Sequence, residues 1–288
     1  MKKPDKKITF NFFDYKWQRV PNWANDTEEL YRNWYLKRYG YETLDGLKKF
    51  LEDKHSILEA GCGLARDSKM FAECNSKAEI VAMDQSPAAL MIACQTLKPF
   101  KNCRIARADV TNFKFYGYYG LFDFISCDQV LHHTPEPAKT LAHLFSHLES
   151  GGVLNFFVCR KKNPLRDAVD DLIMDRAREL PPEELWQFAE AVTYFGKALH
   201  ELKIKDVSFE SKKYEDVQRL VHNQVFRCWY NPAIDFELSV SSNYDWFSGN
   251  PRFNAEEVRQ MMQDGLGLHQ VVRFYEDDAS ISVSVRKS

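Results

Sequence analysis

Ile57-Leu-Glu-Ala-Gly-Cys-Gly-Leu-Ala-Arg-Asp67 decides how this chain folds. The apolar run Ser56 to Ala60 has the composition of a buried strand, and Gly61 ends it. A glycine-containing turn then leads into a helix. Gly61 and Gly63 let the backbone approach a ligand closely, and the amino end of the helix favours polar or anionic groups. The same strand-then-helix rhythm extends outward. Glu79 to Met83 reads as a second strand ending at Asp84, after which Ser86 caps a helix that carries Pro87 at its first position. Arg104 to Ala106 is a weak third strand and Leu121 to Ser126 a fourth. Pro135 and Pro137 open a helix with Leu141, Leu144, Phe145 and Leu148 on its buried face. Gly151-Gly152 turns the chain into a fifth strand, Val153 to Cys159. Strands separated by helices imply parallel crossovers, hence an open, doubly wound α/β sheet.

The rhythm stops at residue 160. Asp167 to Leu180, Pro182 to Leu202 and Tyr214 to Tyr230 read as helices. It resumes at Asn254, which forms a capping box with Glu257 ahead of the buried stripe Val258, Met261 and Met262. Two strands, His269 to Tyr275 and Ser280 to Val285, close the chain as an antiparallel hairpin through Glu276-Asp-Asp278. Residues 160–253 are therefore expected to be a helical insertion after strand five, inside an α/β core of residues 55–159 and 254–288. Residues 1–54 are read as an N-terminal cap, aromatic over Phe10 to Trp17. Asp26 or Thr27 caps its first periodic helix, Leu30, Tyr31, Trp34 and Tyr35 share a face, and Gly40 ends it. Leu44, Leu47, Phe50 and Leu51 mark a second helix.

Composition narrows the class. The 288 residues are 44% apolar and 28% charged, which excludes a disordered or collagen-like chain. With 39 basic and 41 acidic residues the net charge is −2, so a domain-wide basic face for nucleic acid is missing. No run of ~20 apolar residues is present to span a membrane, and Met1-Lys-Lys-Pro is followed by no apolar stretch of a secretory signal. The seven cysteines are scattered without a CxxC pair, which fits reduced thiols in the cytoplasm and argues against a zinc ribbon; no metal site is expected.

Acids at strand ends supply the chemistry. Asp84 follows Gly61 by 23 residues and is placed to accept both hydroxyls of a ribose. Asp109, after the third strand, could accept from an adenine amino group. Together with Glu59-x-Gly61-x-Gly63, Asp109-Val110 and the loop Cys127-Asp-Gln-Val-Leu-His-His133, these residues resemble the class I S-adenosylmethionine-dependent methyltransferases of the small-molecule "type 11" kind. The resemblance covers roughly residues 55–160. It implies a seven-stranded methyltransferase sheet with an antiparallel last strand and S-adenosyl-L-methionine as cofactor. Glu59, Gly61, Gly63, Asp84, Gln85, Asp109, Val110 and Asp128 become its expected contacts. Ala65 stands where the family often has a third glycine.

The resemblance also places substrate-facing groups in the loop after strand four. His132 is the expected base, since an ordinary imidazole with pKa near ~6.5 accepts a proton at neutral pH, and His133 is an acceptor contact. Arg160 and Lys161, beyond the carboxyl end of strand five, could hold an anionic group. Trp229 and Trp246 belong to seven aromatics within 22 residues, Phe226 to Phe247, that could wall an apolar pocket under a helical lid. The reading is a methyltransferase for a small, partly apolar acceptor that could carry an anionic group. Its alternatives are an RNA-modifying methyltransferase, kept open by Lys203, Lys205, Lys212 and Lys213, and a non-enzymatic binding protein on the same fold.

Overall fold

In a computed structural model the chain is described over residues 6–22, 27–114, 120–249, 251–267 and 269–288. It divides into two units: residues 21–160 with 252–288, and residues 1–20 with 161–251. The N-terminal segment expected as one cap is thus shared, its first 20 residues going with the insertion and the remainder with the α/β unit.

The α/β unit contains helices α2 (Glu28–Tyr39) and α3 (Leu44–Leu51), followed by β1 (Ser56–Ala60), α4 (Arg66–Cys74), β2 (Glu79–Asp84), α5 (Pro87–Leu97), β3 (Cys103–Arg107), β4 (Phe122–Cys127), α6 (Pro137–Ser146) and β5 (Leu148–Cys159), and ends with α11 (Ala255–Gly265), β8 (His269–Glu276) and β9 (Ser280–Lys287). The strands form one seven-stranded sheet in the order β3-β2-β1-β4-β5-β9-β8. β1 pairs in parallel with β2 and β4, and β9 runs antiparallel to β5. Alternation along the strands supplies two cores. Leu58, Val81, Ile125 and Leu154 pack with Leu141, Leu144, Val258 and Met262 of α6 and α11. Ile57, Ile80, Phe124 and Val153 pack with Tyr35, Leu47 and Phe71 of α2, α3 and α4. Both faces being covered explains why the central strands are continuous apolar runs.

The expected caps form: the Ser86 hydroxyl accepts from the Ala89 N–H at 3.1 Å, and Asn254 and Glu257 exchange side-chain-to-backbone bonds of 2.8 Å. Of the two caps proposed for α2, Asp26 lies outside the described residues and the Thr27 side chain makes no capping bond. The buried face of α2 is Tyr31, Tyr35, Arg38 and Tyr39, whereas Trp34 is 39% exposed, so the face is rotated from the expected one.

The other unit comprises α1 (Lys6–Arg19), α7 (Pro164–Ala177), α8 (Pro182–Glu201), a hairpin of β6 (Lys205–Phe209) and β7 (Lys212–Asp216), α9 (Val217–Gln224) and α10 (Phe236–Phe247). The hairpin replaces the first part of the helix expected over Tyr214 to Tyr230. Lys16 of α1 is buried, bonded to Asp245 at 2.6 Å and 4.1 Å from the Trp17 ring, and the Tyr244 hydroxyl donates to the Phe12 carbonyl at 3.1 Å. Among the described residues no helix is long and apolar enough to cross a membrane.

Ala65 has φ of 59° and ψ of 35°, a left-handed conformation that costs an L-residue about 1–2 kcal/mol. Removing its buried methyl loses about 0.8 kcal/mol. Ala65→Gly is therefore expected to leave stability unchanged or raise it by up to about 1 kcal/mol in urea unfolding. A loss above ~1.5 kcal/mol would contradict the strain assignment.

Candidate active site

The Met83 carbonyl, near the end of β2, accepts the N–H groups of both Gly61 and Cys62 at 2.8 Å, drawing the β1–α4 turn over the end of β2. Gly61 has φ of 80°, and a Cβ built on it would fall 2.5 Å from Val130 Cγ2. The first turn is therefore pressed against the loop after β4, and only glycine fits there.

Asp84 ends β2 with both carboxylate oxygens oriented by the main chain. Oδ2 accepts from Gly63 N–H and Oδ1 from Ser86 N–H, each at 2.9 Å. Gln85, half-buried, follows it. Asp109 lies beyond β3, its Oδ1 accepting from Thr111 N–H at 2.8 Å. Val110 packs against the core that contains Leu58 and Met83.

Glu59 is buried at the end of β1 and caps the start of α4: Oε2 accepts from Ser68 N–H at 2.8 Å and from the Ser68 hydroxyl. Burial, with Asp67 nearby, pushes its carboxyl well above the usual carboxylate range against the opposing pull of Ser68. Asp67 in turn accepts from Arg66 Nε at 2.8 Å, and the Arg66 guanidinium lies 4.5 Å from the Tyr31 ring centroid.

Asp128 differs from expectation. Its carboxylate accepts from Arg38 Nη2 and Tyr39 Oη, both at 2.8 Å, and from Gln129 Nε2 at 3.0 Å. Burial and the adjacent Asp128 hold the Tyr39 phenol well above its ordinary value, so it remains a donor. With its side chain 2% exposed, Asp128 ties the loop after β4 to α2. Deeper, Tyr35 Oη lies 3.0 Å from Ser126 Oγ, and Asn155 donates to Tyr41 Oη at 3.0 Å. These α2 partners went unnoticed in the sequence; the visible signal was a helix unusually rich in tyrosine.

His132 sits in a 3-10 turn, Leu131–His133, and is 3% exposed. Its ring centroid lies 4.1 Å from that of half-buried His133 and 5.4 Å from that of Phe157. Burial pushes its pKa down to about 4, so the imidazole is neutral at pH 7. Arg160 is engaged by the β8–β9 turn, its Nε 2.5 Å from Glu276 and its Nη1 3.9 Å from Asp278; this charge is already matched within the hairpin. Lys161 is half-buried at the start of the inserted segment.

The aromatic cluster separates by burial. Tyr244, Trp246 and Phe247 lie on the buried face of α10 and are interior packing, the Trp246 indole N–H donating to Asp170 at 2.8 Å. Phe226, Trp229, Tyr230 and Phe236 are half-buried. The Trp229 carbonyl accepts from Asn243 Nδ2 at 2.8 Å. Of the lysines that kept a nucleic-acid face open, Lys205, Lys212 and Lys213 stand on the β6–β7 hairpin and Lys203 just before it; exposed Asp206, Glu210 and Glu215 share the hairpin, and Lys205 lies 3.6 Å from Asp216. That surface is mixed in sign. Among the described residues no three His, Cys, Asp or Glu side chains are placed to hold a metal ion.

The close approach of Gly61 to Val130 is testable. Gly61→Ala is expected to cost about 2–4 kcal/mol in urea unfolding, from overpacking and the left-handed φ together. Adding Val130→Ala should make the pair less destabilised than the sum of the single variants; strict additivity would contradict the contact.

Comparison with known proteins agrees with this architecture. Residues 58–154 match a family model described as a methyltransferase domain. The chain is 38% identical over 108 residues to an uncharacterized protein of Synechococcus sp., covering 35% of this chain and 25% of that protein. It is 28% identical over 98 residues to a trans-aconitate 2-methyltransferase of Deinococcus radiodurans, covering 34% of this chain and 35% of that protein. The chain thus spans about a quarter to a third of the length of these curated relatives. Among solved structures, N-methyltransferase NodS of Bradyrhizobium japonicum, in complex with S-adenosyl-l-homocysteine, aligns with TM-score 0.43 and 14% identity over 94% of this chain and 98% of that one. An O-methyltransferase family protein of Burkholderia thailandensis aligns with TM-score 0.48 and 11% identity over 93% and 62%. Residues 58–154 thus match a methyltransferase domain, and the seven-stranded sheet with its antiparallel last strand agrees with the methyltransferase fold expected from the sequence.

Proposed function

We propose that the protein transfers a methyl group from S-adenosyl-L-methionine to a small, partly apolar acceptor bearing an anionic group, and that the inserted unit, rather than the α/β core, selects this acceptor. The observation that carries the reading is Asp84: a carboxylate at the end of β2, aimed by two backbone N–H groups beside the glycine turn. The chain's own residues fit the cofactor. Asp84 would receive the ribose hydroxyls, Asp109 and Val110 the adenine, and the Gly61–Gly63 turn the methionine part. Gln85 would line the ribose side. Glu59, whose carboxyl holds its proton at the amino end of α4, would release that proton on meeting the methionine ammonium. The cofactor supplies an electrophilic sulfonium methyl, so the protein chiefly has to position and desolvate the acceptor.

His132 is the proposed proton acceptor at its neutral imidazole, with His133 beside it as an acceptor contact. The match to a methyltransferase named for trans-aconitate, an organic anion, supports an anionic acceptor. The half-buried Trp229 would give it an apolar wall; Trp246, being interior, would act only through its packing.

Two measurements test this. Calorimetry should show binding of S-adenosylhomocysteine, weakened at least ~10-fold (about 1.4 kcal/mol) in Asp84→Ala because charge-assisted hydrogen bonds are lost; unchanged affinity in the folded variant would remove the ribose assignment. Transfer of labelled methyl into small-molecule fractions should fall roughly 10²-fold in His132→Ala. A base with pKa of about 4 is already unprotonated above pH 5, so the acid limb of the rate profile should lie near pH 4. A limb near pH 6.5 that persists in His132→Ala would assign the base elsewhere.

A further inference from the structure

We propose that Arg38 of α2 is a positioning residue for methyl transfer: it holds the Asp128 carboxylate in a closed, neutralised pair, and so keeps the His132 ring uncharged with its Nδ1 lone pair open. The inference deepens the methyl-transfer reading and rests on His132 being the proton acceptor in it.

Asp128 directly follows β4 and opens the loop that carries the histidine turn. Both of its carboxylate oxygens are engaged. Oδ1 takes the Tyr39 hydroxyl at 2.8 Å, and Oδ2 takes Arg38 Nη2 at 2.8 Å and Gln129 Nε2 at 3.0 Å. The ion pair is buried on both sides, so water and salt screen it little. Arg38 is itself held in place. Its guanidinium lies 5.0 Å from the Phe157 ring centroid, and its main-chain carbonyl accepts from Arg273 Nε of β8 at 2.8 Å. Adjacent residues of one helix, Arg38 and Tyr39, thus deliver a charged and a neutral donor to the same carboxylate.

His132 lies against the same phenylalanine, with 5.4 Å between the ring centroids, and is buried. Among the described residues its Nδ1 has no hydrogen-bond partner, while a bond to the Phe157 main chain engages the other side of the ring. Nε2 is therefore the N–H, and Nδ1 is the open acceptor. Around the imidazole stand His133 of its own turn, with 4.1 Å between centroids, Asp128 at the start of the loop, and Arg38 of α2 at the shared Phe157 ring. An unpaired carboxylate this close to a buried imidazole would stabilise the imidazolium, which has no lone pair to take a proton. Paired with Arg38, the same carboxylate presents little net charge. Burial then decides, and it favours the neutral ring.

The test uses the full chain and follows His132 by its long-range 1H–15N signals from about pH 8 to about pH 4. In the unmodified protein the ring should stay neutral to below about pH 5, with its proton on Nε2. Arg38→Gln, which keeps a donor but removes the charge, should raise the His132 midpoint by about one unit or more. Asp128→Asn should not raise it, and the double variant Arg38→Gln/Asp128→Asn should return it to the unmodified value. A loop merely released to water would raise the midpoint in all three, and that pattern would overturn the proposal. So would an unmoved midpoint in folded Arg38→Gln. Where no variant folds, a neutral Nε2–H ring at pH 7 in the unmodified protein supports the proposal, and an imidazolium or an Nδ1–H ring overturns it. Transfer of labelled methyl from S-adenosyl-L-methionine separates the coupling from the base assignment. An acid limb that follows the His132 midpoint in Arg38→Gln supports both. A limb that stays while the midpoint moves removes His132 as the base and leaves its coupling to Arg38 standing; an unmoved midpoint overturns the coupling and leaves the base assignment intact.

Discussion

The Met83 carbonyl, accepting two successive N–H groups from the turn after β1, is the constraint on which the rest of the site depends. Two donors on one acceptor bend the chain sharply across the end of the neighbouring strand, and such a bend needs the positive φ of Gly61 and Gly63. Once the turn is drawn over β2, Gly63 N–H meets Asp84, and α4 begins with Ser68 beside Glu59. Both acids are thereby aimed by backbone donors before any ligand arrives. Orientation fixed in advance is what allows a few hydrogen bonds to contribute fully to binding.

A second set of contacts holds the loop after β4. Asp128 is fastened to Arg38 and Tyr39 of α2, while Val130 lies against the space that a side chain on Gly61 would occupy. The histidine turn that follows is thus fixed from two directions. A buried ion pair such as Arg38–Asp128 adds little net stability once desolvation is counted. Its value lies in geometry, since removing either partner would leave a buried charge and release the loop.

The α/β core was legible because its signals are local. Strands such as Ile80 to Met83 are continuous apolar runs that end at glycine or aspartate, and Ser86 and Asn254 are caps that form as read. The inserted unit was less legible for an identifiable reason. Its β6–β7 hairpin turns through Glu210 and Ser211, both at positive φ without glycine, so the usual turn signal is missing and Tyr214 was read into a helix. In α10, Asp235 caps a helix whose buried face mixes Leu238, Ser239, Ser241 and Asn243 with aromatics; the aromatic residues alone suggested a pocket wall. Asp84 and Glu59 could be placed at strand ends from their spacing to the glycines, and the structure puts them there, each bonded to a backbone N–H of the turn or of α4. The bonds of Asp128 to Arg38 and Tyr39 were not legible, because these partners lie 90 and 89 residues away and no local pattern records such a distance.

The most direct test of the central claim is a crystal structure of the protein with S-adenosylhomocysteine. Both ribose hydroxyls are expected within ~3 Å of the Asp84 carboxylate, a distance set by hydrogen bonding. Gly63 and Ser86 should still be bonded to it, with the adenine beside Asp109 and Val110. A ligand seated elsewhere, or a ribose that leaves Asp84 without contact, would contradict it.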